Sequence, residues 1–218
     1  FMTTKKKYLK EELDEACGVY SVDGKTAVGK THTLAIPYIC AGVLKGFLFR
    51  RVDSDDKPKY LANFALDRRS VFFNYPEQGS SVIAVVEGEM DALTATAAGI
   101  PGVVAIGGSE IAGERKHQVE VALAYGTRSI ILCPDLDSTT TEDGTVVPDH
   151  AKRLKAVMHS VHTIKDIDIE FDSIYVTVFD KPTDPDEFIR KRGGDAFIKL
   201  LRDALPWWEY VYKVKSKR

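Results

Sequence analysis

The sequence predicts an α/β fold in which a mostly parallel sheet with flanking helices follows a small, mostly β module of basic charge. From Ser81 onward, apolar runs alternate with helical stretches, which is typical of strand–helix–strand units. Before that point, short apolar runs are separated by turn signals such as Asp23-Gly24 and Ala41-Gly42. The 218 residues are 44% hydrophobic and 28% charged, so a folded core is possible without disulfides.

In the N-terminal module, each hairpin signal lies between two runs of strand-forming residues. The predicted strands are 19–22, 26–28, 34–40 and 43–52, and one helix is predicted at 9–16. Residues 24–31 also match the P-loop pattern GxxxxGKT. A P-loop opens a helix, whereas the residues after this segment are β-like and include Pro37, so we favour the hairpin.

The remainder of the chain alternates between strands and helices. The predicted strands are 81–86, 102–106, 129–133 and 173–179, and the predicted helices are 90–98, 110–124, 149–161, 184–192 and 195–205. Asp149 is the expected N-cap of the third helix, 138–148 a polar loop, and 213–218 a frayed tail. We therefore predict a basic module at 1–79, an α/β domain at 80–182 and a helical segment packing on it at 183–218.

Charge is unevenly distributed along the chain, although the net charge is only −2. Residues 1–80 carry 13 basic and 10 acidic side chains, residues 81–140 carry 3 and 8, and residues 141–218 carry 14 of each. A basic segment beside an acidic centre suits an enzyme that binds nucleic acid with divalent cations. No apolar run is long enough for a signal peptide or a membrane span, so we expect a cytoplasmic protein. Three widely spaced cysteines indicate reduced core residues.

Acidic residues follow three of the predicted strands directly. They are Glu87, Glu89 and Asp91 after the first strand, Asp135 and Asp137 after the third, and Asp184 and Asp186 after the fourth. In open α/β sheets, ligands bind beyond the carboxyl ends of the strands. Carboxylates gathered there repel one another unless a divalent cation binds, and oxygen ligands favour Mg²⁺ or Mn²⁺ over zinc. The alternative is that acids such as Asp91 and Asp186 cap helices.

This pattern resembles the Toprim domain, which bacterial (DnaG-type) primases share with topoisomerases and some nucleases. The matching residues are Glu87-Gly88-Glu89-Met90-Asp91 after the first strand, Gly107-Gly108 after the second and Asp135-Leu136-Asp137 after the third. Two flanking segments resemble those of the primase catalytic core in particular. They contain Lys45-Gly46-Phe47, Arg51-Val52 and Lys57-Pro58-Lys59-Tyr60-Leu61 before the domain, and residues 184–191, Gly194, Ala196-Phe197 and Ala204-Leu205-Pro206 after it.

The resemblance implies a Rossmann-like Toprim fold and a DNA primase core that makes RNA primers from NTPs on single-stranded DNA by two-metal nucleotidyl transfer. It implies Mg²⁺ or Mn²⁺ as cofactor, a replicative helicase or other replication proteins as partners, and no membrane partner. The implied catalytic acids are Glu87, as general acid/base, and Asp91; the implied metal ligands or supports are Glu87, Asp91, Asp135, Asp137, Asp184 and Asp186. The implied nucleic-acid or nucleotide contacts are Arg51, Lys57, Lys59 and Tyr60, and the implied site loops contain Gly88, Gly107 and Gly108.

Two other functions would use the same scaffold. A Toprim nuclease would cleave phosphodiesters with these acids, and a non-catalytic Toprim protein would serve as a DNA-binding or replisome adaptor. One departure from the family concerns local geometry, because members usually carry a glycine shortly after the aspartate pair. Here a longer loop begins instead at Ser138-Thr139-Thr140-Thr141.

Overall fold

The structure is a computed structural model that describes residues 20–21, 31–52, 56–63, 66–167 and 173–216. The helix predicted at 9–16, the Asp23-Gly24 turn, the strand predicted at 26–28 and nearly all of the P-loop-like segment lie outside these residues. The residues that follow that segment form a strand, Leu34–Cys40, rather than a helix. A P-loop would require the helix at this place, so the hairpin interpretation is favoured.

Among the described residues, the N-terminal module is a four-stranded antiparallel sheet in the order β1-β2-β3-β4. Its strands are β1 (Tyr20–Ser21), β2 (Leu34–Cys40), β3 (Val43–Arg50) and β4 (Tyr60–Ala62). The β2–β3 turn lies at Ala41 and Gly42, whose φ angles are 50° and 73°. A two-residue hairpin turn needs such left-handed conformations, which is why the dipeptide predicts the turn correctly.

The second sheet of the described chain has five strands in the order β11-β10-β7-β5-β6. They are β5 (Val82–Val86), β6 (Val103–Ala105), β7 (Ser129–Cys133), β10 (Ile174–Val176) and β11 (Leu205–Pro206). The first four run parallel, and β11 pairs antiparallel with β10 at one edge. The predicted mostly parallel α/β sheet is confirmed, and its apolar strands are buried as expected for a sheet covered on both faces.

Six α-helices accompany these sheets in the described ranges. They are α1 (Glu89–Ala97), α2 (Lys116–Ala124), α3 (His150–Lys165), α4 (Pro185–Arg192), α5 (Gly194–Arg202) and α6 (Trp207–Lys215). As predicted, Asp149 caps α3, because its Oδ1 accepts a hydrogen bond from the Lys152 N–H at 2.9 Å. Helix α2 begins later than predicted, since Gly113 at φ 55° opens a separate 3₁₀ turn. None of the helices that the structure describes has the length and apolar character needed to cross a membrane.

Three elements differ from the sequence-based expectation. The expected polar loop at 138–148 is a hairpin of two strands, β8 (Ser138–Thr140) and β9 (Val146–Pro148). Its threonines and valines are strand-forming residues, but β8 is exposed throughout and β9 is only partly buried, so no apolar alternation marks them. Residues Leu205-Pro206 form the edge strand β11 instead of ending a helix. Residues 213–215 of the expected frayed tail belong to α6, where Val214 is buried.

One buried apolar cluster runs through both sheets. It joins Leu48 of the N-terminal sheet to Ile83 and Ile130 of the parallel sheet. The backbone N–H of Phe73 also donates a hydrogen bond to the carbonyl of Ala105 at 2.9 Å. The N-terminal module is therefore packed against the sheet that carries the acidic residues.

Candidate active site

Two acidic residues meet where neighbouring parallel strands end. Glu87 follows β5 directly, Asp135 follows β7 after one proline, and the last residues of these strands, Val86 and Cys133, are register partners. The backbone N–H of Asp135 donates a hydrogen bond to Oε1 of Glu87 at 3.0 Å. Because the two residues are 48 positions apart in the chain, parallel strand pairing is what brings them together.

The Asp135 carboxyl group lies in an environment that disfavours its charge. Its Oδ1 is buried and has no hydrogen-bond partner in the structure. Burial first, and then the negative charges of Glu87, Asp91, Asp184 and Asp137, raise the pKa of Asp135 to about 9. Four further acids are therefore within electrostatic range of this one carboxyl group.

Glu87 is affected in the same direction but less strongly. Burial raises the pKa of Glu87 to about 7, and the charge of Asp137 also acts to raise it. The hydrogen bond from the Asp135 N–H and the nearby cations Lys152 and Arg153 oppose this rise. A carboxyl group with a pKa near neutrality can both accept and return a proton at neutral pH.

A backbone bridge places Asp184 beside the segment that carries Asp135 and Asp137. The N–H of Leu136 donates to the Thr183 carbonyl at 3.0 Å, and the N–H of Thr183 donates to the Leu136 carbonyl at 2.9 Å. Asp184 then caps α4 by accepting a hydrogen bond from the Glu187 N–H. Asp137 is exposed to solvent, and Asp184 is half-buried.

Asp91 and Asp186 bind protein groups and tie α1 to α4. Oδ2 of Asp91 accepts from the Gly88 N–H and Oδ1 from the Asp186 N–H, both at 3.1 Å. A Cβ on Gly88 would lie 2.8 Å from that Oδ2, so a larger residue there would displace the Asp91 carboxylate. The buried Asp186 carboxylate accepts from Arg190 at both oxygens, at 3.1 and 3.0 Å, and from the Thr94 hydroxyl at 2.7 Å. These contacts agree with the alternative stated for the sequence, that Asp91 and Asp186 stabilise helix starts.

The chemistry of the carboxylate cluster (Glu87, Asp135, Asp137 and Asp184) suits a divalent cation. Within the ranges that the structure describes, no three Asp, Glu, His or Cys side chains are already arranged to hold a metal ion. The unpartnered Oδ1 of Asp135 and the oxygen-only donors around it nevertheless fit a hard cation such as Mg²⁺ or Mn²⁺. Binding of such a cation would relieve the repulsion that contributes to the raised pKa values.

A family comparison decides which domain this arrangement belongs to, because residues 84–189 match the model described as Toprim-like. The chain contains a Toprim-like domain. The curated DNA primase of Listeria innocua is 25% identical over 187 residues, which make up 81% of this chain and 26% of that protein. The chain thus spans about a quarter of the length of the curated relatives it matches.

Solved structures extend the likeness beyond the Toprim-like domain. A DnaG primase catalytic domain bound to single-stranded DNA superposes with a TM-score of 0.68 at 18% identity, over 94% of this chain and 71% of that one. The RNA polymerase domain of Mycobacterium tuberculosis primase DnaG gives a TM-score of 0.61 at 21% identity, over 81% and 57% of the two chains. The chain therefore has the fold of a DnaG-type catalytic core over nearly its whole length.

The four residues predicted to contact nucleic acid lie directly after β3, before β4 and at the first position of β4. The Arg51 side chain pairs with Asp56 at 3.1 Å, and Lys57 and Lys59 are exposed. Tyr60 is the member that the structure brings near the acids, because its hydroxyl group interacts electrostatically with Asp91.

Arg68 and Glu89 connect Tyr60 to the glycine loop of the Toprim-like domain. Glu89 is buried and accepts two hydrogen bonds from Arg68, whose guanidinium lies 5.8 Å from the centre of the Tyr60 ring. A Cβ on Gly107, which has a φ of 64°, would lie 3.0 Å from Arg68 and 3.1 Å from Glu89. A Cβ on Gly108 would lie 2.6 Å from the guanidinium of Arg115. Both glycines therefore allow arginine side chains to approach the backbone closely.

Two basic residues beside the carboxylate cluster were not predicted from the sequence. Lys152 pairs with Asp137, and the buried Arg153 donates from Nε to the carbonyl of Pro134, the residue before Asp135, at 3.1 Å. The sequence signal that could have indicated them is the predicted N-cap Asp149. In the structure the N–H of Asp149 donates a hydrogen bond to the Asp137 carbonyl at 2.8 Å. Once that cap is assigned, the first turn of α3 must start beside the aspartate pair.

The metal-free protein is expected to lose stability as the pH rises from about 5 to about 9. Unfolded carboxyl groups ionise near pH 4, whereas in the folded protein the pKa values of Glu87 and Asp135 are about 7 and about 9. Over this interval the folded state binds more protons, so the stabilisation present below about pH 4 is lost as the pH passes the folded pKa values.

Thermal melts at several pH values, with and without Mg²⁺, measure this effect. Mg²⁺ should raise the melting temperature most at high pH, where the carboxylates are ionised and available to it. The Asp135→Asn variant should lose most of the pH dependence. A melting temperature of the metal-free protein that increases from pH 5 to pH 9 would contradict the raised pKa values.

Proposed function

We propose that this chain is the catalytic core of a DNA primase, a nucleotidyltransferase that makes short RNA primers from NTPs on single-stranded DNA. The observation that carries the proposal is the direct contact between Glu87 and Asp135 at the ends of two parallel strands. Asp137 and Asp184 lie within electrostatic range of the same point. Nucleotidyl transfer requires acids that hold divalent cations and cations that hold phosphates, and both kinds of residue occur here.

In this proposal Glu87 is the general base. The Asp135 N–H holds its Oε1, and the carboxylate would take the proton from the primer 3′-hydroxyl group and pass it to water. The hydroxyl oxygen then forms a bond to the α-phosphorus of the incoming nucleotide. The bond between the α-phosphorus and the bridging oxygen breaks, and pyrophosphate leaves.

The proposed cofactor is Mg²⁺ or Mn²⁺. Its proposed ligands are Glu87, Asp135, Asp137 and Asp184. When bound, two such cations would supply the positive charge that stabilises both the attacking and the leaving oxygens. We assign Asp91 and Asp186 the supporting role, because their carboxylates hold the Gly88 turn and the start of α4.

The substrates and partners in this proposal are those of a replication enzyme in the cytoplasm. Arg51, Lys57, Lys59 and Tyr60 would contact the template or nucleotide phosphates, with affinity that falls as salt rises. A replicative helicase or another replication protein is the proposed partner. The proposed domain boundaries are 1–79 for the basic module, 80–182 for the Toprim domain and 183–218 for the C-terminal segment.

One incubation tests the function against its alternatives. The protein is mixed with end-labelled single-stranded DNA, NTPs including one labelled nucleotide, and Mg²⁺ or Mn²⁺, and the products are separated on a denaturing gel. We expect short labelled RNA that disappears in the Glu87→Gln variant. Shortened DNA in place of RNA would indicate a Toprim nuclease. Absence of both products, with no Mn²⁺ binding at millimolar concentration, would indicate a non-catalytic adaptor.

A further inference from the structure

A cavity of about 240 Å³ lies at the carboxylate cluster. Its lining includes Glu87, Asp135 and Asp137 from the strand ends, and Lys152 and Lys155 from α3. The two lysines are three positions apart on a helix, so their side chains emerge from neighbouring positions on its surface. The cavity thus combines carboxylates with mobile cations, and the roles proposed so far involve only the carboxylates.

Lys152 contacts the carboxylate cluster directly. Its Nζ lies 2.5 Å from Oδ2 of Asp137, and its ammonium group also interacts electrostatically with Glu87 and Asp149. The Lys152 side chain is 63% exposed and the Asp137 side chain 48% exposed, so the pair forms at a solvent-accessible rim. Exposed pairs of this kind are weak and exchange partners readily.

Helix stability does not account for a lysine at this position. Lys152 is the third residue of α3, close to the positive end of the helix dipole, where a cation is disfavoured. The N-cap Asp149 is the acidic residue at this end of α3, and its carboxylate already accepts a hydrogen bond from the Lys152 N–H. The contact with Asp137 does account for the lysine. The hairpin β8–β9 brings the chain back to the aspartate pair, where the Asp149 N–H donates to the Asp137 carbonyl at 2.8 Å, so the first turn of α3 lies beside Asp137.

A divalent cation binds the Asp137 carboxylate more strongly than an ammonium group does. It carries twice the charge, and it can bind several carboxylates at once, whereas the ammonium of Lys152 makes one short contact with one carboxylate oxygen. The displaced ammonium would remain in the cavity on its four-carbon stem, next to Lys155. A flexible lysine beside a cation site is well suited to bind a phosphate group.

We propose that Lys152 is the internal counter-ion of the carboxylate cluster, that a divalent cation displaces it from Asp137, and that it then binds a phosphate of the nucleotide. This inference rests on the proposed primase function, whose substrates are nucleoside triphosphates. In this proposal Lys152 weakens metal binding, because it competes for Asp137, and strengthens nucleotide binding, because it binds a phosphate. Loss of the side chain should therefore change the two affinities in opposite directions.

Calorimetric titrations of the full chain measure both affinities. Mn²⁺ alone is titrated into wild-type protein and Lys152→Met, and ATP is then titrated at saturating Mn²⁺ without template. We expect Lys152→Met to bind Mn²⁺ about 3- to 10-fold more tightly. We expect it to bind ATP about 5-fold or more weakly, and Lys152→Arg to restore most of the ATP affinity.

Lys199→Met is the matched control, because Lys199 of α5 forms an exposed pair, also at 2.5 Å, with Asp203 directly after that helix. This variant should change neither affinity by more than about 2-fold. Unchanged or weaker Mn²⁺ binding by Lys152→Met would overturn the counter-ion role, and unchanged ATP binding would overturn the phosphate role. If both shifts occur and wild-type protein makes no RNA, the inference holds and the primase proposal fails. If wild-type protein binds no Mn²⁺, both fail.

Discussion

Replacing Asp135 with asparagine should reduce primer synthesis by at least about 10³-fold while raising the melting temperature of the metal-free protein. The loss follows because the Asp135 carboxylate is the central proposed cation ligand, whereas the backbone N–H that holds Glu87 is unchanged in the variant. Removal of a group that stabilises charge at the reacting atoms commonly costs about this factor. The double variant Asp135→Asn with Asp137→Asn should lose activity equally and keep its fold.

The gain in stability has an electrostatic cause. Asparagine has nearly the shape of aspartate without its charge. In the folded protein the pKa of Asp135 is about 9, so its carboxyl group is mostly protonated at pH 8. Near pH 8 the wild-type protein must therefore take up a proton as it folds, which costs free energy that the variant does not spend. An increase of about 5 °C or more in the melting temperature is expected.

Primer synthesis assays and thermal melts near pH 8 without divalent cations check both halves of this prediction. Asp203→Asn is the control, because Asp203 is an exposed acid in a surface pair with Lys199. It should retain full activity and an almost unchanged melting temperature. Sustained RNA synthesis by Asp135→Asn would rule out its proposed role as metal ligand. A lower melting temperature would show that Asp135 is not strained by burial.

The local elements of the site could be predicted from the sequence because their signals are short-range. The runs 34–40 and 129–133 are strands with the predicted bounds, since each is apolar, rich in strand formers and bounded by turn residues. The cap Asp149 is likewise readable from the residue type and its position before a helix. Strand order then places Glu87 and Asp135 together, because parallel strands end at a common edge.

The partners of individual side chains could not be predicted, because they depend on contacts between distant segments. Asp91 and Asp186 are 95 positions apart, and nothing near either one indicates that a backbone N–H of one binds the carboxylate of the other. The hairpin β8–β9 was missed for a related reason. Its first strand is fully exposed and neither strand shows the apolar alternation that marks a half-buried strand.

The missing glycine after the aspartate pair is explained by that hairpin. Residues 138–148 close on themselves, with Ser138 opposite Pro148 and Thr140 opposite Val146. The chain leaves the site at Asp137 and returns at Asp149, whose N–H binds the Asp137 carbonyl. The longer connection is thus accommodated outside the carboxylate cluster, and α3 still begins beside it.

Replacing Asp186 with alanine should destabilise the protein by about 3 kcal/mol and lower its melting temperature by about 6–12 °C. The Asp186 side chain is fully buried and accepts hydrogen bonds from Thr94 on α1 and from Arg190 on α4. Its removal takes this carboxylate from a guanidinium that is only 24% exposed, whereas the Thr94 hydroxyl can still donate to the Met90 carbonyl at 2.7 Å. Cation affinity of the folded variant should stay within about 3-fold of wild type if, as proposed, Asp186 supports the fold and the metal ligands are other residues.

Asp180→Ala separates burial from ion pairing in this comparison. Asp180 pairs with Arg192 at 3.1 Å, but both of these side chains are about half exposed, so its loss should cost less than about 1 kcal/mol. Denaturant unfolding gives the stabilities of both variants, and Mn²⁺ titration gives their cation affinities. If Asp186→Ala kept its stability and lost Mn²⁺ binding, Asp186 would belong among the metal ligands. If the variant instead lost stability and kept Mn²⁺ binding, Asp186 would serve the packing of two helices. Residue type and position in the Toprim pattern would then not be enough to identify a metal ligand.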